Sequence, residues 1–187
     1  MPETSTSPIW PLEAPGGTEN NTESDSVTLV PAWQLHDASI MDDAKAFWRR
    51  LRVLPPSVSA DQRAMELCAA AYIKNELVGV STITLEYHPG LRTRLGIFRC
   101  LVSPDHTQRR IPKRLTDYSR GLLENWSKQN PQEEVLGMAF TLESQKFELL
   151  RKRPVWRGAN NAYYWLIGYA PNGNQIRLTW FAHAKVD

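Results

Sequence analysis

The order of apolar runs from residue 27 onward constrains this chain more than any other feature. Short β-type runs alternate with stretches of helical period, and no internal repeat breaks the sequence up. That alternation predicts an α/β domain built on one mixed sheet. Val27–Ala32 (VTLVPA) predicts a short strand. Asp37 is placed to cap a helix with Ile40, Ala44, Phe47, Trp48 and Leu51 on one face, ending before Pro55-Pro56. Ser59–Ile73 leaves two readings open: SADQRAMEL has a helical pattern, whereas LCAAAYI fits either a helix or a buried strand. Lys74-Asn75-Glu76 followed by VGVSTITLEY predicts an antiparallel hairpin, ended by Pro89-Gly90. LGIFRCLV (95–102) is the next β run, closed by Ser103-Pro104. Pro112 suits the first residue of a helix, where its missing N–H costs nothing. Leu115, Tyr118, Leu122 and Trp126 line one face of that helix. A strand over 135–142, a short helix over 144–153 and a hairpin turning at Pro171-Asn172-Gly173-Asn174 complete the order. The expectation is a central mixed seven-stranded sheet flanked by about four helices.

Composition narrows the class. The chain has 187 residues, 42% hydrophobic, which suits one globular domain and excludes a collagen-like or wholly disordered protein. No run approaches the roughly 20 apolar residues that a bilayer-spanning helix needs. The first residues carry no basic segment and no continuous apolar stretch, so they do not read as a signal peptide. Cys68 and Cys100 are the two cysteines, too few for a disulfide framework or a zinc site of their own, and a cytoplasmic location is expected. The net charge of +2 conceals a split. Residues 1–26 hold five acidic residues and no basic one, whereas 27–187 hold 22 basic against 15 acidic, or +7. Rich in Thr, Ser, Pro and Glu and without an apolar period, 1–26 predicts a disordered acidic tail; 27–187 predicts the domain.

Within the domain, Phe98–Trp126 carries the most specific signal. Val102-Ser103-Pro104 ends a strand in a V-x-P step, and the loop to Gln108-Arg109-Arg110-Ile111-Pro112-Lys113 opens a helix. With the element order, this resembles the GNAT acyltransferase superfamily over about residues 27–187. The resemblance implies the GNAT-like fold and an acyl-CoA-dependent N-acyltransferase. Its co-substrate would be acetyl-CoA or another acyl-CoA, with no metal, and its acceptor a small-molecule or macromolecular amine. In the family, backbone N–H groups at that helix N-terminus hold the pyrophosphate of coenzyme A. Leu101, Val102, Gln108, Arg109, Arg110, Ile111, Pro112 and Lys113 are the corresponding donor-binding candidates. Arg110 and Pro112 stand where the family carries two small residues, and Pro112 removes one donor. Thr107, or Gln108 if the loop slips by one, takes the place of the family's Arg or Gln.

The catalytic candidates also depart from the pattern. The family's general-acid Tyr falls on Arg151, so Tyr163 or Tyr164 on the next strand is the substitute. The run 95–102 carries Arg99 and no carboxylate, which leaves Glu86 or His88 as the base, with Asp105 and His106 also near. The four histidines show no metal-ligand spacing.

Two basic clusters stand out. Residues 92–120 hold Arg92, Arg94, Arg99, Arg109, Arg110, Lys113, Arg114 and Arg120 against Asp105 and Asp117. Cations at a helix N-terminus are locally unfavourable unless an anion offsets them. Lys146, Arg151, Lys152, Arg153 and Arg157 lie beside Trp156, Tyr163 and Tyr164. Basic residues interleaved with aromatics suit phosphate contacts and base stacking. The alternatives are therefore a GNAT-like protein that binds or modifies nucleic acid (DNA or tRNA), or an inactive GNAT-like scaffold.

Overall fold

The computed structural model describes residues 26–143 and 152–185. The expected acidic tail except Ser26, and the 144–153 helix (with Arg151) except its last two residues, fall outside them. Eleven elements follow in chain order: β1 (Thr28–Pro31), α1 (Ala38–Leu51), α2 (Ala60–Met65), β2 (Leu67–Ile73), β3 (Glu76–His88), β4 (Thr93–Val102), α3 (Ile111–Gln129), β5 (Val135–Thr141), β6 (Val155–Arg157), β7 (Tyr163–Tyr169) and β8 (Gln175–Trp180). All eight strands form one sheet in the order β1-β2-β3-β4-β5-β8-β7-β6. The β4–β5 pair is parallel and every other pair is antiparallel. One strand more than expected is present: β6, three residues that pair with β7.

Local chemistry sets the element ends. Asp37 caps α1, its Oδ1 accepting from the Ser39 and Ile40 N–H groups at 2.9 and 3.2 Å. The Ser39 hydroxyl bonds the same oxygen at 2.6 Å. Arg52, in the left-handed region, ends the helix. Lys74 and Asn75 have φ of 48° and 66°, so the β2–β3 turn is of the hairpin type that matches strand twist. The open reading of Ser59–Ile73 resolves as both: α2 stops at Met65 and β2 begins at Leu67. The reason is two-sided burial. Ala70 packs with α1 and α2, and Ala69 and Ala71 pack with α3. Small residues let helices approach both faces of a central strand, which erases the polar–apolar alternation that marks a strand.

The sheet therefore has two faces. Residues alternate across a strand, so Ser81, Gly96, Phe98 and Met138 share one face with α3. The Ser81 and Ser119 hydroxyls bond at 2.8 Å, and a Cβ on Gly96 would stand 2.3 Å from Leu123 Cδ2. A side chain at position 96 would have to displace the buried Leu123 side chain. The opposite face carries α1 and α2 over β1–β3, with Phe47, Trp48, Leu67 and Val80 in their core.

A candidate cleft where β4 and β5 part

β4 and β5 are aligned only from Arg94↔Val135 to Ile97↔Ala139. Beyond that point β4 continues to Val102, paired on its other edge with Gly79–Ile83 of β3. β5 continues to Thr141, paired on its other edge with Ile176 and Arg177 of β8. The two strands thus part after Ile97 and Ala139. Among the described residues their facing edges carry backbone N–H and C=O groups with no partner strand, and such groups seek a hydrogen-bonding occupant.

At the far end of β4, Pro104–Arg109 winds into a 3₁₀ turn, and Arg110 (φ 54°) sets the start of α3. No side chain caps that helix. Arg114 N–H already bonds Arg110 O at 3.0 Å and Pro112 has no N–H, which leaves Ile111 and Lys113 as the first-turn N–H groups with no bond among the described residues. The dense cation cluster there is largely engaged. Lys113 pairs with Asp117 at 2.5 Å, Arg120 with Glu124 at 3.0 Å and Arg94 with Glu133 at 2.6 Å. Arg114 donates to Val27 O at 2.9 Å. Arg110 is exposed and has no side-chain hydrogen bond among the described residues. The side chains of Gln108 and Arg109 are not described. Ile111 is fully buried among Val78, Ala71 and Leu115, whereas Leu101 and Val102 pack on opposite faces.

Three aromatic rings step across the divergence on the α3 face. Phe98 of β4 meets Phe140 of β5 edge-on at 6.3 Å, and Phe140 meets Tyr164 of β7 at 5.6 Å. Tyr164 is 5% exposed, and its hydroxyl has no hydrogen-bond partner among the described residues. Burial raises its pKa well above the ordinary phenol value; Asp117 adds to this and Arg120 opposes it. Sequence reasoning did not single out Phe98 or Phe140. The usable signal was spacing: both sit on the α3 face just beyond the last paired residues.

The opposite face holds most of the other candidates. Arg99 Nη1 donates to Thr84 Oγ1 at 3.4 Å, and Thr84 Oγ1 donates to Glu86 at 2.8 Å. Glu86 is exposed. His88 lies on this face too, but its Nδ1 accepts from Leu91 N–H at 3.2 Å, which commits that nitrogen to the 3₁₀ turn after β3. Tyr163 is also on this face, 46% exposed beside the equally exposed Trp165. Adjacent in sequence, Tyr163 and Tyr164 therefore lie on opposite sides of the sheet, Tyr164 on the α3 face with its ring against Phe140. His106 is half-buried, with no partner for its Nδ1 among the described residues. Cys68 and Cys100 carry thiols that burial pushes up to about 12, far from a reactive thiolate.

In the second basic cluster, Trp156 and Tyr164 are core residues, and Arg157 donates to Asn161 at 3.3 Å. A further buried cation, Arg177, was not foreseen. Its Cζ stands 4.2 Å over the Trp156 ring, and it donates to Arg153 O at 2.8 Å and Pro154 O at 3.1 Å. An Arg at the third position of QIRLTW, between apolar residues, was the signal. Among the described residues no group of three or more His, Cys, Asp or Glu is placed to hold a metal ion. No described helix is long and apolar enough to cross a membrane.

No family model and no curated protein matches the chain. Solved structures do match. The acetyltransferase of the GNAT family from Streptococcus pneumoniae superposes with a TM-score of 0.50 at 9% identity, over 84% of this chain and 100% of that one. The NatC complex bound to Gag peptide and CoA gives 0.46 at 13% identity, over 83% and 97%. Aminoglycoside 6′-N-acetyltransferase complexed with coenzyme A gives 0.46 at 14%, over 82% and 95%. At these identities the likeness is one of fold: the chain has the GNAT acetyltransferase fold.

Proposed function

We propose that the chain is an acyl-CoA-dependent N-acyltransferase, most simply one that moves acetyl to a primary amine. The observation that carries the reading is the parting of β4 from β5 after Ile97 and Ala139, beside an uncapped helix N-terminus. The donor would lie along the free edges, with its thioester carbonyl polarised by a backbone N–H of β4 beyond Ile97. Its pyrophosphate would meet the N–H groups of Ile111 and Lys113 and the side chain of Arg110. The acceptor amine would approach from the open face, where Glu86 accepts its proton directly or through water. Tyr164 would return a proton to the leaving thiolate from the α3 face. Coenzyme A supplies the thioester; the remaining steps belong to the chain.

Isothermal titration with acetyl-CoA tests the reading. Binding weakened about tenfold by Arg110→Ala supports it, and no heat at millimolar ligand removes it. A nucleic-acid-linked acceptor is a second reading, favoured by the exposed Tyr163 and Trp165 rings 6.4 Å apart on the open face. Gel retardation of tRNA or DNA, lost in Tyr163→Ala/Trp165→Ala, would support it; equal retardation of the double variant would remove it.

A further inference from the structure

Ile97 is the last residue of β4 paired with β5, and Phe98 turns to the α3 face. Arg99 is therefore the first side chain of β4 on the open face past the parting. Across β3 it stands opposite Thr82, with Thr84 opposite Ile97 and Glu86 opposite Leu95. Thr84 Oγ1 accepts from Arg99 Nη1 at 3.4 Å and donates to Glu86 Oε1 at 2.8 Å. One hydroxyl thus stands between a guanidinium and a carboxylate that do not pair directly. Both charged groups are exposed, and so is Thr141, the first open-face residue of β5 past Ala139.

The fold treats these two charges differently from its other surface ions. Among the described residues Arg50, Arg63, Arg94 and Arg120 each meet a carboxylate at 3.0 Å or less. Arg99 meets none, and Glu86 meets no cation. A guanidinium held by one long bond to a hydroxyl keeps its two-pronged edge for an incoming carboxylate or phosphate. The neighbouring charge narrows the choice. A plain amine at this place would set its ammonium beside Arg99, and a bare phosphate would lie beside Glu86; each contact is repulsive. A ligand with ammonium and carboxylate on one carbon offers both groups an opposite charge, at the spacing that one bridging hydroxyl sets.

We propose that the acceptor is a free α-amino acid, bound at the mouth of the parting strands with its carboxylate on Arg99 and its nitrogen on Glu86. The inference rests on the N-acyltransferase reading, whose acceptor it names. Arg99 is then the residue that sets specificity: it selects amines that carry an adjacent carboxylate and rejects those that do not. Held by its carboxylate, the acceptor presents its nitrogen to Glu86, the base of that reading, at the free edge of β4.

The test follows the backbone amide signals of residues 84–86 and 97–100 by ¹⁵N NMR in the full chain, with and without coenzyme A. Alanine, glutamate and phenylalanine are each titrated against their α-amides, which keep the amine and lose the carboxylate. At least one acid should shift these signals at tens of millimolar, and its amide should bind about tenfold more weakly. Arg99→Met should weaken the acid about tenfold and leave the amide within about threefold, whereas Glu86→Gln should weaken both. Both positions are exposed, so neither variant disturbs the core. No shift from any acid, equal affinity for acid and amide, or inorganic phosphate bound as tightly as the acids overturns the proposal. The titration involves no acyl transfer, so its failure is distinct from failure of acetyl-CoA to bind.

Discussion

At the scale of single residues, this domain depends on a few positions where chemistry and geometry leave one solution. Gly137 sits at an irregular step between β4 and β5, and a Cβ there would stand 2.7 Å from the Thr179 backbone oxygen. A backbone atom in a paired strand cannot swing aside as a side chain can. Gly137→Ala is therefore expected to cost about 1–3 kcal/mol in urea unfolding, the usual range for overpacking. Gly168→Ala, whose Cβ would meet nothing, should be close to neutral. Asp37 gives a second case. The Ser39 hydroxyl and the Ile40 N–H hold its carboxyl below the usual carboxylate range. A depressed value means the folded state favours the ionised form, so the stabilisation is present above the ordinary carboxylate pKa and fades as pH falls through the folded value. Asp37→Ala should lower the melting temperature at pH 7, and the gap should close in acid; a gap independent of pH would contradict the capping account.

Elements show which parts of the sequence were legible. The run LGIFRCLV, the Ser103-Pro104 stop and the period of Leu115, Leu122 and Trp126 locate β4 and α3 closely, because alternation and helical period survive where one face is polar. β6 carries no such signal. It is three residues between a proline and a glycine, and what holds it comes from another strand. Arg177 of β8 reaches the carbonyls of Arg153 and Pro154, and Leu166 N–H bonds Pro154 O at 2.8 Å. Arg177→Met would take the Arg177 donor from the Arg153 carbonyl and leave Pro154 O with Leu166 N–H, at about 1–3 kcal/mol. Amide exchange should then speed up at Trp156 and Leu166 before it changes in β2 or β3. The basic cluster at 92–120 shows the complementary limit. Its cations are adjacent in sequence, but only the fold shows that Glu133, Glu124 and Asp117 take up several of them. Tyr163 and Tyr164 show a related limit: alternation says that they face opposite ways, but only the fold shows that Tyr164 is the one buried against Phe140.

For the whole molecule, the fold sets the parted pair β4 and β5 beside the uncapped start of α3, from segments spread between Thr93 and Thr141. Two other depressions lie elsewhere. One of about 690 Å³ is bordered by Asp37, Asp43 and Tyr72, and one of about 200 Å³ by Ser127, Glu134 and His183. Neither is lined by the stretch beyond Ile97 and Ala139 where the strands part, so the central claim is a claim about place. Amide hydrogen exchange with and without acetyl-CoA measures that place directly. The account predicts slower exchange at Phe98–Val102 and at Ile111 and Lys113, with no change around Asp37–Asp43. Unchanged exchange along β4 at millimolar acetyl-CoA, or protection confined to the Asp37–Asp43 depression, would contradict it.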